Sequence, residues 1–143
     1  MTGFEAIGAH VAEHGAGSLL ATGLLLALIG IGFKLAAVPM HFYAADVYEG
    51  AAWPVTAMLA FVPKIAGITA LIALFTAVGW AHLPEPVIAG LWIMAALTMT
   101  AGNVLALRQK NLKRLLAYSS VAHSGYLLVG LIAGPTAMGT AMG

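Results

Sequence analysis

Charged side chains are scarce in this sequence, and cysteine is absent. Only 8% of the 143 residues are charged, whereas a soluble domain carries roughly a quarter. Hydrophobic residues make up 62% of the chain, and the mean hydropathy is +0.97. So few polar groups cannot cover a surface in water, and the composition therefore predicts a membrane protein. The net charge of +1 gives no indication of a nucleic-acid partner.

The lack of cysteine excludes a disulfide framework, thiol chemistry and cysteine-ligated iron–sulfur clusters. Other signatures are missing as well. The sequence contains no GxxxxGK[ST] phosphate loop, no cluster of metal ligands on a predicted helix and no GxSxG nucleophile motif. We therefore expect no cofactor or metal on this chain, and any redox chemistry must lie on another chain.

Long apolar segments are what the sequence has instead. Residues 15–33 carry no charge, which is enough to cross a bilayer core of ~30 Å at ~1.5 Å per residue. We predict an all-α, polytopic transmembrane helix bundle with four spanning helices. Their expected positions are about 18–49 (broken), 54–80, 86–107 and 115–133. An extracytoplasmic connecting segment is expected at 1–17 and a tail at 135–143.

Proline interrupts two of these segments. Pro39 lacks an N–H group, and its ring clashes with the carbonyl of Leu35, so we expect the first helix to continue to about Pro39 and to break there. Pro63 is expected to break the next helix beside Lys64. Non-helical backbone at membrane depth is tolerated only where it is buried in protein or lines a wet cavity.

A short basic loop indicates the orientation of the helices. Its four cations belong on the cytoplasmic side of a membrane, and they are Arg108, Lys110, Lys113 and Arg114. Alternation along the chain then places the acidic segment around Asp46 and Glu49 on the same side. It places the link around Glu85 on the opposite side.

Lys34 and Lys64 lie inside apolar segments, where a charge is costly. At helical spacing, Lys34 shares a face with Gly30, and Lys64 shares one with Gly67, so both lysines are expected to face protein rather than lipid. Snorkelling to the interface or a buried ion pair would give them a structural role. The functional alternative is proton carriage, because ionisable groups inside a membrane are functional candidates.

Three further polar positions are candidates for a proton relay. His123 follows Ser119 and Ser120, and it is either a hydrogen-bonded packing residue or a relay. His41 follows the expected break and is either an interface residue or a relay. The candidate proton-transfer residues are therefore Lys34, Lys64 and His123, with His41, Ser119 and Ser120 as possible further relay positions.

Two long stretches resemble a known family. They are FKLAAVPMHFYAADVYEGAAWPVTAMLAFVPKIAG at 33–67 and GNVLALRQKNLKRLLAYSSVAHSGYLL at 102–128. Both are similar to the N-subunit family of the bacterial NADH:quinone oxidoreductases, complex I. More broadly, they resemble the antiporter-like membrane subunits related to Mrp-type cation/proton antiporters. The resemblance covers roughly residues 18–134.

The resemblance implies that 18–134 is part of a proton-translocating antiporter-like domain, the middle of a fold with roughly fourteen helices in inverted repeats. The family's membrane lysines fall on Lys34 and Lys64, and its tenth-helix polar position falls on His123. A lysine at position 64 favours the N type, because the L type has a histidine there. The family's fifth-helix glutamate and twelfth-helix lysine lie outside this sequence, which therefore resembles a fragment.

The resemblance also implies the setting of the chain. NADH, FMN, iron–sulfur clusters and quinone would all be bound by other subunits. The partners would be other membrane subunits of complex I and the lipid bilayer, with no nucleic acid. The location would be the bacterial inner (plasma) membrane, crossed several times.

The sequence departs from the family in the segment after Pro39. The family commonly reads VPFHxWxPDVYxGAPTPV, and the residues that differ here are Met40, Tyr43, Ala45, Ala52 and Trp53. The aromatic and acidic character is kept, although the lost prolines would loosen this loop. Two other functions stay open: a cation/proton antiporter subunit of the Mrp or membrane-hydrogenase type, and a structural membrane piece without transport activity.

Overall fold

The computed structural model describes Ala9, Glu13 and residues 17–141, and these form helices and their connections without a strand. The elements are α1 (Ser18–Lys34), α2 (Phe42–Gly50), α3 (Trp53–Val78), a 3₁₀ turn (Trp80–His82), α4 (Glu85–Leu107) and α5 (Leu112–Ala141). Within the described residues, three helices are long and apolar enough to cross a membrane: α3, α4 and the Leu112–Gly134 part of α5. The shorter α1 is also apolar. The prediction of an all-α transmembrane bundle is confirmed.

The first helix ends at Lys34, so the expectation that it continues to about Pro39 was wrong. The N–H of Ala37 donates to the carbonyl of Gly32 at 2.8 Å, a bond typical of a Schellman helix ending. Ala36 has φ 54°, in the left-handed region that usually takes glycine at this position. The helix therefore terminates through its own backbone bonds before it reaches the proline.

Pro63 does not break a helix, which corrects the second predicted break. It lies inside α3, which continues from Trp53 to Val78. A proline removes one backbone donor, and helices in membranes tolerate this loss when neighbouring groups satisfy the freed carbonyl.

The structure describes the two predicted end segments to different extents. The predicted connecting segment at 1–17 lies outside the described residues, apart from Ala9, Glu13 and Gly17. The predicted tail is helical instead, because α5 continues to Ala141. Alanine and methionine recur in this stretch, and both favour helix.

The helices α4 and α5 approach each other backbone to backbone at two glycines. A Cβ atom on Gly102 would lie 2.7 Å from the backbone nitrogen of Ala122. A Cβ atom on Gly125 would lie 2.6 Å from the Cγ of Met99. Glycine is therefore required for this contact, as in close helix pairs of membrane proteins.

The apolar core lies where α1, α3, α4 and α5 meet, and α1 enters it through leucines. Leu24 and Leu28 are buried, whereas Gly30 and Lys34 are exposed. Among the described residues, Lys34 therefore lies beside the buried face of α1 and not within it. Gly32 lies on the same buried face as the two leucines, so α1 packs inward through Leu24, Leu28 and Gly32.

Candidate functional site

Lys34 and Lys64 reach one small cavity, although they belong to different helices. This lysine cavity has a volume of about 50 Å³ and lies between the end of α1, the short helix α2, the middle of α3 and α5. Tyr48 and Ser120 are among its other lining residues. The exposed Lys34 and the half-buried Lys64 thus line the same cavity.

Lys64 also lines a second space, the α3–α5 groove, which has a volume of about 660 Å³. The α5 side of this groove includes Ser119, Ser120 and His123. The structure therefore brings four of the predicted site residues to one groove. Lys64 and Ser120 line both spaces, and so connect the position of Lys34 with that of His123.

The ammonium group of Lys64 donates a hydrogen bond to the backbone carbonyl oxygen of Ser120. In an apolar surrounding, a charge needs such a partner to be tolerated. Among the described residues, no carboxylate is paired with Lys64.

His123 is held by a backbone carbonyl of its own helix. Its Nδ1 lies 2.7 Å from the carbonyl oxygen of Ser119. A carbonyl oxygen only accepts, so Nδ1 carries the hydrogen, and a neutral ring then has Nε2 free as an acceptor. His123 is exposed along the α3–α5 groove, which places a proton acceptor within that groove.

His41 lies apart from both spaces. Its ring centroid is 5.2 Å from that of Phe42 and 6.5 Å from that of Tyr118. Its Nδ1 is buried and has no hydrogen-bond partner in the part of the chain that the structure describes. The structure thus does not bring His41 together with the other predicted site residues.

Two side chains that the sequence did not single out hold the irregular segment after α1. The hydroxyl of Ser124 donates to the carbonyl of Leu35 at 2.7 Å. The N–H of Val38 donates to the hydroxyl oxygen of Thr98 at 3.0 Å. Buried backbone groups need such partners. A small hydroxyl residue in an apolar helix was the available signal, but it does not identify the partner.

Tyr48 is the other residue that was missed. It is buried on α2, and its hydroxyl oxygen lies 3.3 Å from the hydroxyl oxygen of Ser120. The buried residues Ala44, Ala45 and Tyr48 lie at helical spacing on the side of α2 that packs on α5. This spacing was the sequence signal that could have identified it.

Opposite charges join α2 to the start of α5. Arg114 forms ion pairs with both Asp46 and Glu49, and its Nε lies 2.7 Å from an oxygen of Glu49. The ammonium of Lys113 donates to the carbonyl of Ala51 at 2.8 Å. The acidic segment and the basic loop therefore lie at the same end of the bundle, as the alternation of helices requires.

Metal binding has no support in the described residues, where no group of three or more His, Asp or Glu side chains is placed to hold an ion. The lysine cavity and the α3–α5 groove are lined by ammonium, imidazole and hydroxyl groups, with the carbonyl of Ser120 between them. Such groups accept, hold and release protons. This arrangement suits proton transfer.

Comparison with known proteins assigns the chain to a family. Residues 1–142 match the family described as "NADH:quinone oxidoreductase/Mrp antiporter, TM". A relative named NADH-quinone oxidoreductase subunit N from Methylococcus capsulatus is 51% identical over 130 residues, which is 91% of this chain and 26% of that protein. Relatives of the same name from Myxococcus xanthus and Ectopseudomonas mendocina are each 48% identical, and cover 80% and 92% of this chain.

This chain spans about a quarter of the length of the curated relatives that it matches. The match nevertheless extends over nearly every residue of it. The chain therefore belongs to the NADH:quinone oxidoreductase/Mrp antiporter family of multi-pass membrane proteins.

Proposed function

We propose that this chain is part of a proton-translocating membrane subunit of a respiratory NADH:quinone oxidoreductase in the bacterial inner membrane. Electron transfer from NADH to quinone, with its FMN and iron–sulfur clusters, takes place on other subunits of the complex. The partners of the chain are other membrane subunits and the lipid bilayer. The names of its relatives support this proposal.

The observation that carries the proposal is the position of Lys64. It lines the lysine cavity together with Lys34, and the α3–α5 groove together with His123. An ionisable side chain at the middle of a membrane helix is costly. Proton transfer between Lys34 and His123 would explain why a costly lysine is present at this position.

The proposed mechanism is a sequence of proton transfers. Protonated Lys34 releases a proton into the lysine cavity, whose volume of about 50 Å³ leaves room for water. Neutral Lys64 takes up this proton, and the resulting ammonium is held by the carbonyl of Ser120. The ammonium then releases the proton into the α3–α5 groove, where Nε2 of His123 accepts it. A charge change outside this chain starts the sequence by acting on Lys34.

The test uses the complete subunit assembled in its complex, in inverted membrane vesicles. We expect Lys34→Ala and Lys64→Ala to reduce NADH-driven proton uptake by about tenfold or more, as loss of a proton-transfer group does. Lys110→Ala removes an exposed cation of the α4–α5 loop and serves as the matched control. Proton uptake at the wild-type rate in both lysine variants would contradict the mechanism.

A second candidate is a subunit of a cation/proton antiporter of the Mrp or membrane-hydrogenase type. The description of the matched family, which includes Mrp antiporters, favours it. Genes for other NADH dehydrogenase subunits next to this one would exclude this alternative. A third candidate is a structural piece without transport activity. Loss of assembled complex in the lysine variants, without a specific defect in pumping, would support it.

A further inference from the structure

We propose that Tyr48 is a positioning residue for Lys64 and acts through Ser120. Tyr48 belongs to α2, and only 7% of its surface is exposed. Its hydroxyl oxygen lies 3.3 Å from the hydroxyl oxygen of Ser120 on α5. Burial of a tyrosine hydroxyl is costly without a hydrogen-bond partner, and Ser120 supplies that partner. This inference rests on the proposed role of Lys64.

Ser120 connects the tyrosine with the lysine because its two oxygen atoms have different partners. The hydroxyl oxygen lies against Tyr48, and the backbone carbonyl oxygen accepts from the ammonium of Lys64. Ser120 lies inside α5, where the helix backbone holds its carbonyl, and the contact with Tyr48 fixes this turn of α5 against α2. Tyr48 thereby positions the acceptor of Lys64 relative to α2.

The position of Tyr48 is itself fixed by a second attachment between α2 and α5. Arg114 on α5 pairs with Asp46 and Glu49 on α2. Tyr48 lies between these two acids in the sequence, and its side chain reaches Ser120 further along α5. Two attachments to one helix determine the orientation of a short helix better than one. A displacement of α2 would therefore be transmitted to the acceptor of Lys64.

Several ionisable groups face Lys64 across these two spaces. Lys34 comes from α1, Tyr43 and Tyr48 come from α2, and His123 comes from α5. The hydroxyl of Tyr43 is engaged elsewhere, because it donates to the carbonyl of Phe33 at 2.8 Å. Tyr48 is therefore the tyrosine whose hydroxyl contacts the residue that binds Lys64.

The experiment compares Tyr48→Phe with Tyr118→Phe in the complete subunit, assembled in its complex. Both variants lose one hydroxyl and keep the ring, and Tyr118 lines neither the lysine cavity nor the α3–α5 groove. Three quantities are measured: the amount of assembled complex, the rate of NADH-driven proton uptake in vesicles, and the pH at which that rate is half of its maximum. Loss of one hydrogen bond changes an equilibrium by about two- to tenfold.

We expect Tyr48→Phe to keep its assembled amount, to slow proton uptake by about two- to tenfold and to displace the half-maximal pH by roughly half a unit. Tyr118→Phe is expected to keep the wild-type half-maximal pH. Ser120→Ala removes the other hydroxyl and retains the carbonyl, so we expect the same displacement. The double variant is expected to resemble either single variant, because both changes remove one contact.

Two results overturn the positioning role. One is a wild-type half-maximal pH in Tyr48→Phe while Lys64→Ala abolishes proton uptake. The other is a Tyr48→Phe variant whose uptake falls only in proportion to the amount assembled, which indicates packing alone. Wild-type uptake in Lys64→Ala would instead show that the proposed function of Lys64 has failed, and the positioning role with it.

Discussion

The hydroxyl of Ser124 donates a hydrogen bond of 2.7 Å to the backbone carbonyl of Leu35, although the two residues are 89 positions apart in the sequence. Both residues have 0% exposure. Leu35 directly follows the last residue of α1, and its carbonyl is the group with which the ring of Pro39 would clash in a continued helix. A side chain on α5 thus takes the place of the helical donor that the broken segment lacks.

Ser124→Ala is expected to lower the free energy of unfolding by about 1–3 kcal/mol, because it leaves a buried carbonyl without its donor. Thermal unfolding of the purified complete subunit in detergent measures this loss. Thr76→Val is the control, because the hydroxyl of Thr76 is exposed and bonds to the carbonyl of Ile72 on its own helix. Equal loss in the two variants would contradict the assignment.

Thr98→Val removes the acceptor of the Val38 N–H at nearly constant side-chain volume. We expect a destabilisation of about 1–3 kcal/mol. Thr98 and Ser124 hold the same irregular segment. We therefore expect the stability loss of the double variant to differ from the sum of the two single losses by about 0.5–3 kcal/mol. Additivity within error would mean that the two contacts act independently.

Gly102→Ala tests the closest approach of α4 and α5. The added Cβ atom would lie 2.7 Å from the backbone nitrogen of Ala122, so the helices must separate, at a cost of about 1–3 kcal/mol. Gly130→Ala is the control on α5, where a Cβ atom would meet nothing within 4 Å. The unfolding temperatures of the two variants are compared. A stable Gly102→Ala protein would contradict the close packing.

A charge swap tests whether the ion pairs between α2 and α5 hold α2 in place. Arg114→Asp removes the partner of Asp46 and Glu49 and adds a third acid, so we expect less assembled complex. Adding Asp46→Arg restores a pair of opposite charges. We expect the amount of assembled complex, measured on native gels, to recover in part. Arg108→Asp, which changes an exposed arginine of the neighbouring loop, controls for net charge. No recovery in the double variant would indicate that the pair does not hold α2.

The orientation of the chain is testable because this sequence contains no cysteine. Single cysteines are introduced at Lys110, in the basic loop, and at Glu85, at the start of α4, in a complete subunit freed of other cysteines. A membrane-impermeant maleimide added to intact cells is expected to label position 85 and not position 110. The opposite labelling pattern would reverse the predicted orientation of every helix.

Local physics was enough to predict several features of this fold. Apolar runs of sufficient length predict membrane helices, and the basic loop predicts their orientation. Pro39 indicates an interrupted helix near Lys34. Two local inferences were nevertheless wrong: Pro63 lies within a continuous helix, and α1 already ends at Lys34. The end of α1 and the continuity of α3 both depend on which neighbouring groups form hydrogen bonds with the backbone. The residue type at one position does not determine those partners.

The sequence by itself determined the class of protein, the approximate positions of the helices and the two lysines that are costly in a membrane. Only the tertiary structure decided that Lys64 reaches the carbonyl of Ser120, 56 positions away, and that Tyr48 lies against the hydroxyl of the same serine. It also decided which face of α1 is buried. The physical reason is that hydropathy and helix propensity are local properties. The contacts that hold the site depend on how distant helices pack against each other.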